Sequence, residues 1–389
     1  MSDVALVHEW LVTRAGSEKV VEAILECHPG ARVFTTVFDP TQFSGSVIAR
    51  HEVVTTFIQS LPGAVRRYQT YLPFMPLAIE QLDLSAADTI ISSQHAVAHG
   101  VLTRADQLHV SYVHSPVRYG WDLYHQYLRD AGLVRGPKAW LARMALHRLR
   151  QWDVLAANRV DLFVANSAYV ARRVWRVYRR PARVLYPPVD VERFSARQDR
   201  DEFYVVLSRL VPYKRVDVIV EAFNALGRSL VVLGDGPERE RLQRMARGNI
   251  SFLGRQSDDV VRDYLQRARA FVFAADEDFG IVSVEAQAAG CPVIAYGHGG
   301  SLETVAEGRS GVFFPSQTAA AVQSAVLAFE AAGRWDAASV RENAERFSAA
   351  RFRREWLELF DAAQGLRENP VRLERTLAIT PDEGNGSGR

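Results

Sequence analysis

Ala270-Phe271-Val272-Phe273-Ala274-Ala275-Asp276-Glu277-Asp278-Phe279-Gly280-Ile281-Val282-Ser283-Val284-Glu285-Ala286-Gln287-Ala288 settles the fold class. The apolar run 270–274 reads as a strand covered on both faces, an acidic turn closes on Gly280, and an amphipathic run of helix formers follows. Strand, turn and helix in that order are the repeating unit of a parallel α/β sheet. Outward from this stretch the alternation recurs, with strands expected at 4–8, 32–38, 88–92, 109–114, 160–166 and 183–186, then at 203–208, 229–234, 250–254, 270–274, 292–296 and 311–314. Two similar series predict two doubly wound, Rossmann-like α/β domains.

A length of 389 residues fits two such domains better than one core. Between the series, Tyr186-Pro187-Pro188-Val189-Asp190 and the polar run 195–202 interrupt regular structure, because the prolines remove backbone donors. The first domain is therefore expected over 1–188 and the second over 189–345, followed by a helix at 346–365. Residues 366–389, polar and glycine-rich toward the end, are expected to form a disordered tail. In doubly wound sheets ligands bind outside the carboxyl ends of the strands, so two facing domains are expected to enclose a cleft.

Composition narrows the class. Hydrophobic residues make up 48% and charged residues 24%, as in soluble globular proteins. Cys27 and Cys291 lie far apart with no Cys-x-x-Cys spacing, which argues against a disulfide framework and a structural zinc site and fits a reducing cytoplasm. The N-terminus runs straight into a strand, so no secretory leader is expected, and no run approaches the roughly 20 apolar residues of a membrane span. A net charge of +2 calls for no nucleic-acid partner. Lys19, Lys138 and Lys214 are the only lysines among 47 Lys and Arg, which makes each retained lysine informative.

Acidic residues eight apart, Glu277 and Glu285, bracket the turn at Gly280. A glycine there lets backbone approach a ligand, and the helix start offers free amides to a diphosphate. Glu277 then suits the hydroxyls of a hexose and Glu285 those of a ribose; an ordinary acidic helix entry is the alternative. Ser208-Arg209-Leu210-Val211-Pro212-Tyr213-Lys214-Arg215 places cations after another strand, where Arg209 and Lys214 suit a pyrophosphate leaving group; a solvated basic loop is the alternative. Gly16, within Arg14-Ala15-Gly16-Ser17-Glu18-Lys19, either meets a phosphate or sits in a plain capped turn. His114 ends a first-domain strand and suits a sugar hydroxyl or the acceptor proton, against a structural histidine; Tyr119 and Trp121 after it offer faces on which sugar rings stack.

Asp276-Glu277-Asp278 spells an Asp-x-Asp metal signature, which is discounted because cations already stand ready to offset phosphates; no metal and no cofactor is expected. Basic amphipathic stretches occur at 64–68 and 138–150. In the second, Leu141, Met144, Ala145 and Leu149 share one face, either resting on an anionic membrane or buried as an apolar stripe with a basic solvated back.

Residues 277–286 resemble the E-x7-E signature of the large retaining GT-B glycosyltransferase family. The likeness extends through Gly290-Cys291-Pro292-Val293-Ile294-Ala295, Gly299-Gly300-Ser301-Leu302-Glu303-Thr304-Val305, Val232-Leu233-Gly234-Asp235-Gly236-Pro237 and Phe252-Leu253-Gly254-Arg255. The resemblance implies Arg209, Lys214 and Gly16 on the donor diphosphate, and Glu277 with the backbone at Phe279, Gly280 and Ile281 on the donor sugar. It puts Glu285 on the ribose, Arg255 beside the base and His114 at the sugar's reacting side. It also implies retention without a metal, and a last helix returning to the first domain. Tyr112-Val113-His114-Ser115-Pro116-Val117-Arg118-Tyr119-Gly120-Trp121-Asp122 is similar to the version in O-antigen and exopolysaccharide mannosyltransferases that use GDP-mannose. The implied partners are a nucleotide-sugar donor and a lipid-linked or saccharide acceptor, in a cytoplasmic enzyme peripheral on the inner membrane. Ala15-Gly16 instead of a double glycine, and Ser208 where many members have glycine, are departures. A UDP- or ADP-sugar donor, a nucleotide-sugar epimerase and a non-catalytic nucleotide-sugar-binding protein are the alternatives.

Overall fold

The computed structural model describes residues 3–378. The chain divides into two compact units: one runs through Pro187 and resumes at Phe352, and the other is Pro188–Arg351. Each is built on one parallel sheet with helices between successive strands.

In the first unit the strands are β1 (Val4–His8), β2 (Arg32–Thr35), β3 (Val53–Thr55), β4 (Thr89–Gln94), β5 (Leu108–Val113), β6 (Leu162–Ala165) and β7 (Ala182–Val184). Their order is β3-β2-β1-β4-β5-β6-β7. Every residue of β4 and β5 is buried, as expected of strands covered on both faces. β3 goes unseen in the sequence because it is three half-buried residues at the sheet's edge, too short to show a period.

Registers set what meets what at the strand ends. His8 lies opposite Ser93 between β1 and β4, and Gln94 opposite Val113 between β4 and β5. The order reverses direction at β1, since β2 lies on one side of it and β4 on the other. Ligand crevices of doubly wound sheets form at such a reversal.

The second unit holds β8 (Tyr204–Leu207), β9 (Leu230–Leu233), β10 (Ile250–Gly254), β11 (Ala270–Phe273), β12 (Val293–Tyr296) and β13 (Gly311–Phe314) in the order β10-β9-β8-β11-β12-β13. Its reversal lies between β8 and β11, paired through Ala270 with Tyr204 and Phe271 with Val205. Helix starts are capped locally: Thr318 Oγ1 accepts the N–H of Ala321, and Asp336 accepts those of Ala338 and Ser339.

The helix Ala349–Leu366 carries Phe352 and Trp356 into the first unit's core, where both rings meet Tyr112 and the Trp356 indole N–H donates to His28 Nε2 at 2.9 Å. The expected loss of order from residue 366 needs correction over its described part. Pro370–Leu377 is a helix whose N-cap Asn369 accepts the N–H of Arg372, whose Leu373 is buried, and whose Glu374 pairs with Arg180. Three local anchors order it where composition alone argued for none. Residues 379–389 lie outside the described residues.

Candidate functional site

In the second unit the loops after β8 and β11 meet through an ion pair between Lys214 Nζ and Glu277 Oε1. The two strands are neighbours at the reversal of the sheet, so residues from separate motifs become partners. Both side chains keep roughly a fifth of their surface exposed. Lys214 closes a short 3-10 turn, Pro212–Lys214, and lies 5.4 Å from the Tyr213 ring centroid.

The Glu277 loop is backed by the chain at Gly300. The Gly300 N–H donates to the Glu277 carbonyl at 2.8 Å, and a Cβ on Gly300 would stand 2.4 Å from Phe279 Cα. Only glycine permits that approach. Gly280 precedes the helix Ile281–Ala288 with φ of +87°, a left-handed conformation that costs any other residue. The Phe279 ring is buried against Phe347 at 5.3 Å between centroids, which leaves the site its backbone rather than its ring. Ile281 opens the helix half-buried, and Glu285 is buried one turn further on. First-turn amides of a helix lack intrahelical acceptors and favour an anion.

Arg209 and Arg255 are exposed, just beyond β8 and β10. The Arg209 loop is held by Leu210 N–H to Asp235 O at 2.9 Å and Glu238 N–H to Leu210 O at 3.0 Å. β10 is the edge strand, two strands from β8 and so about 10 Å away. The ion pair joins Lys214 to Glu277, whereas Arg209 and Arg255 stand on the loops after β8 and β10. Asp276 of the Asp-x-Asp faces His298 Nδ1 at 3.0 Å. The only trio among the described residues with ligand atoms close enough for a metal is elsewhere: His8, Glu9 and His95.

In the first unit His114 stands one residue past β5. Its N–H donates to Gln94 O at 2.8 Å, and its Nε2 lies 2.8 Å from Ser93 Oγ. Ser93 Oγ is also 3.0 Å from His8 Nδ1, and His8 Nε2 is 3.3 Å from Glu18 Oε1. Burial, then the neighbouring His95 and His8 imidazoles, pushes the His114 pKa down to about 3, so the ring is neutral at neutral pH. Burial by itself would raise Glu18, but the hydrogen bond from His8 and the His8 and His95 rings bring it to about 2. Gly16 opens the helix Gly16–Cys27, with Glu18 accepting the Ala15 N–H at 2.9 Å and Arg14 tied to Glu22.

Tyr119 and Trp121 both pack against the first unit's core. The Tyr119 hydroxyl is buried, and the Trp121 indole donates to Asp153 Oδ2 at 2.8 Å. Asp153 is fully buried and also accepts from Tyr178 at 3.0 Å. The helix Pro137–Ala157 buries Leu146 and Leu149, whereas Leu141 is 59% and Trp140 61% exposed. The stripe drawn through Leu141, Met144, Ala145 and Leu149 is thus split, and its first half faces outward.

Sequence reasoning did not single out His8, Glu9, Ser93 or His95. All four sit at the carboxyl ends of β1 and β4, so applying the strand-end rule to every strand would have found them.

Residues 190–347 match the family model described as Glycosyl transferases group 1, and residues 14–193 match Glycosyltransferase Family 4. Over 220 residues the chain is 31% identical to the GDP-mannose-dependent alpha-(1-6)-phosphatidylinositol monomannoside mannosyltransferase of Mycobacterium tuberculosis, covering 48% of this chain and 55% of that protein. Its counterpart in Mycolicibacterium smegmatis is 33% identical over 222 residues, with the same coverage. The chain spans about half the length of these curated relatives. Among solved structures, Anabaena HepE in complex with UDP is similar at a TM-score of 0.66 and 16% identity, covering 92% of this chain and all of that one. Sucrose-phosphate synthase from Thermosynechococcus elongatus is similar at 0.68 and 18%, covering 93% and 98%. These structures share the fold, the two family models together span residues 14–347, and the chain is of the GT-B glycosyltransferase group 1 / family 4 type.

Proposed function

We propose that the protein transfers a hexose, mannose from GDP-mannose, to a lipid-linked or oligosaccharide acceptor in bacterial surface polysaccharide synthesis, with retention of configuration and without a metal. The observation that carries this reading is the Lys214–Glu277 pair at the sheet reversal of the unit that matches the group 1 model. A cation and a carboxylate held side by side suit a donor whose diphosphate lies on one and whose sugar hydroxyls lie on the other. The 31–33% identical mannosyltransferases support mannose and GDP.

In this reading Arg209 and Lys214 hold the diphosphate, and Glu277 with the backbone of Phe279, Gly280 and Ile281 holds the sugar. Glu285 takes the ribose hydroxyls and Arg255 borders the base. The acceptor oxygen forms its bond to the anomeric carbon as the bond to the diphosphate breaks, and the acceptor proton passes to the departing phosphate oxygen. Tyr119 and Trp121 contribute to acceptor binding only the ring surface that each leaves exposed.

A membrane-facing acceptor agrees with the outward half-helix. Val134, Trp140, Leu141 and Met144 are exposed beside the exposed Arg135, Lys138, Arg143 and Arg148, a combination that binds anionic lipid surfaces. No helix among the described residues is long and apolar enough to cross a membrane.

The test is incubation with radiolabelled GDP-, UDP- and ADP-sugars and a bacterial lipid extract. Labelled lipid from GDP-mannose with the donor's anomeric configuration, in the presence of chelator, is expected. Epimerised donor makes the protein an epimerase, and binding without turnover makes it a sensor or partner subunit.

A further inference from the structure

Glu9 immediately follows β1, and its carboxylate is fully buried. Its Oε1 accepts the backbone N–H groups of His95, Ala96, Val97 and Ala98 at 2.7, 2.7, 3.2 and 3.2 Å. Four amides fix the group, and although burial alone would raise its pKa, His95 and then His8 hold it ionised. Its Oε2 lies 3.0 Å from His95 Nδ1 and 3.7 Å from His8 Nδ1. Both Glu9 Oε2 and His95 Nδ1 are closed to solvent, yet the His95 side chain is 24% exposed. The exposed part of the ring therefore lies among its remaining atoms, Nε2 among them.

Glu18 faces His8, Glu9 faces His95, and His114 rests on the Ser93 hydroxyl instead of a carboxylate. The three imidazoles lie within 5.5–6.4 Å of one another, centroid to centroid. Burial works against a proton on His95, but Glu9 outweighs it and raises the pKa, the reverse of His114. Glu9 thus favours the protonated, donor form of His95, and part of its ring is open to solvent. Trp10 borders it edge-on at 4.8 Å, and Tyr68 lies 4.9 Å from Trp10. Aromatic surface next to a fixed polar donor suits a carbohydrate.

We propose that His95, oriented through Nδ1 by Glu9, is a substrate-contacting histidine of the first unit that donates its Nε2–H to an oxygen of the acceptor sugar. The proposal rests on the glycosyltransferase reading above. Glu9 is a positioning residue; it acts through His95.

His95→Asn keeps a polar group facing Glu9 but removes the outer nitrogen, whereas His95→Gln keeps a donor near the Nε2 position. Transfer kcat/KM for the acceptor is expected to fall about 100-fold in H95N and to recover in part in H95Q, with the thermal shift produced by the donor nucleotide unchanged in both. In Glu9→Gln the alkaline limb of the pH–rate profile moves to lower pH, because His95 then loses its proton earlier. Transfer by H95N at the wild-type rate, or an unmoved limb in E9Q, overturns the proposal. So does one equivalent of zinc in the wild-type protein that is lost in H95N, since the trio is then a metal site. Absence of transfer by the wild type defeats the glycosyltransferase reading and this proposal with it, whereas equal transfer by wild type and H95N defeats this proposal alone.

Discussion

Lys214 Nζ is ion-paired with Glu277 Oε1, which ties the loop after β8 to the loop after β11. Lys214→Ala and Glu277→Ala are each expected to lower transfer from the donor about 100-fold or more while leaving the melting profile intact. Because the two groups act as a unit, the double variant should lose much less than the product of the single losses. Steady-state kinetics on the three proteins checks both statements, and wild-type turnover in either single variant sinks the assignment.

Gly300→Ala places a methyl where 2.4 Å separates it from Phe279 Cα. The backbone behind Glu277 has to shift, at a cost of about 1–3 kcal/mol, and transfer should fall although no donor contact is removed. Denaturant melts and kinetics together test this; an unaltered variant means that the two loops do not support each other.

Acid should unfold the protein early. Burial holds His114 and His109 at about 3 and His28 at about 4, below the ordinary 6.5, so the folded state binds fewer protons than the unfolded chain. A depressed pKa contributes stability above the unfolded value that is lost as pH falls toward the folded one, here from 6.5 down to about 3. Glu18, lowered to about 2, works in the same direction at lower pH, while the raised His95 opposes it. The melting temperature should drop about 5–10 °C between pH 7 and pH 5. A flat profile over that range contradicts the buried neutral imidazoles.

The outward half-helix should bind anionic vesicles. Flotation with phosphatidylglycerol liposomes is expected to carry the protein, and phosphatidylcholine is not. Trp140→Ala with Leu141→Ala should weaken binding, and each of Lys138 and Arg143 replaced by Gln should cost about 1 kcal/mol at low salt. Equal flotation by wild type and the Trp140/Leu141 variant removes this surface from the membrane reading.

Most of the α/β architecture was legible because strands and helices announce themselves over a few neighbouring residues. The run 270–288 shows its strand, turn and helix without help from the rest of the chain, and Lys214 and Glu277 were visible in their own loops. Val53–Thr55 was not, because three residues carry no period. Helical spacing put Leu141 and Leu149 on one stripe, but only the packed neighbours decided that Leu149 is buried and Leu141 is not. Tertiary structure alone made partners of Lys214 and Glu277, and of Glu9 and His95, which lie 86 residues apart. Sheet order and register decide such meetings, and they arise from packing across the whole chain, whereas sequence periodicity reports only what a segment does by itself.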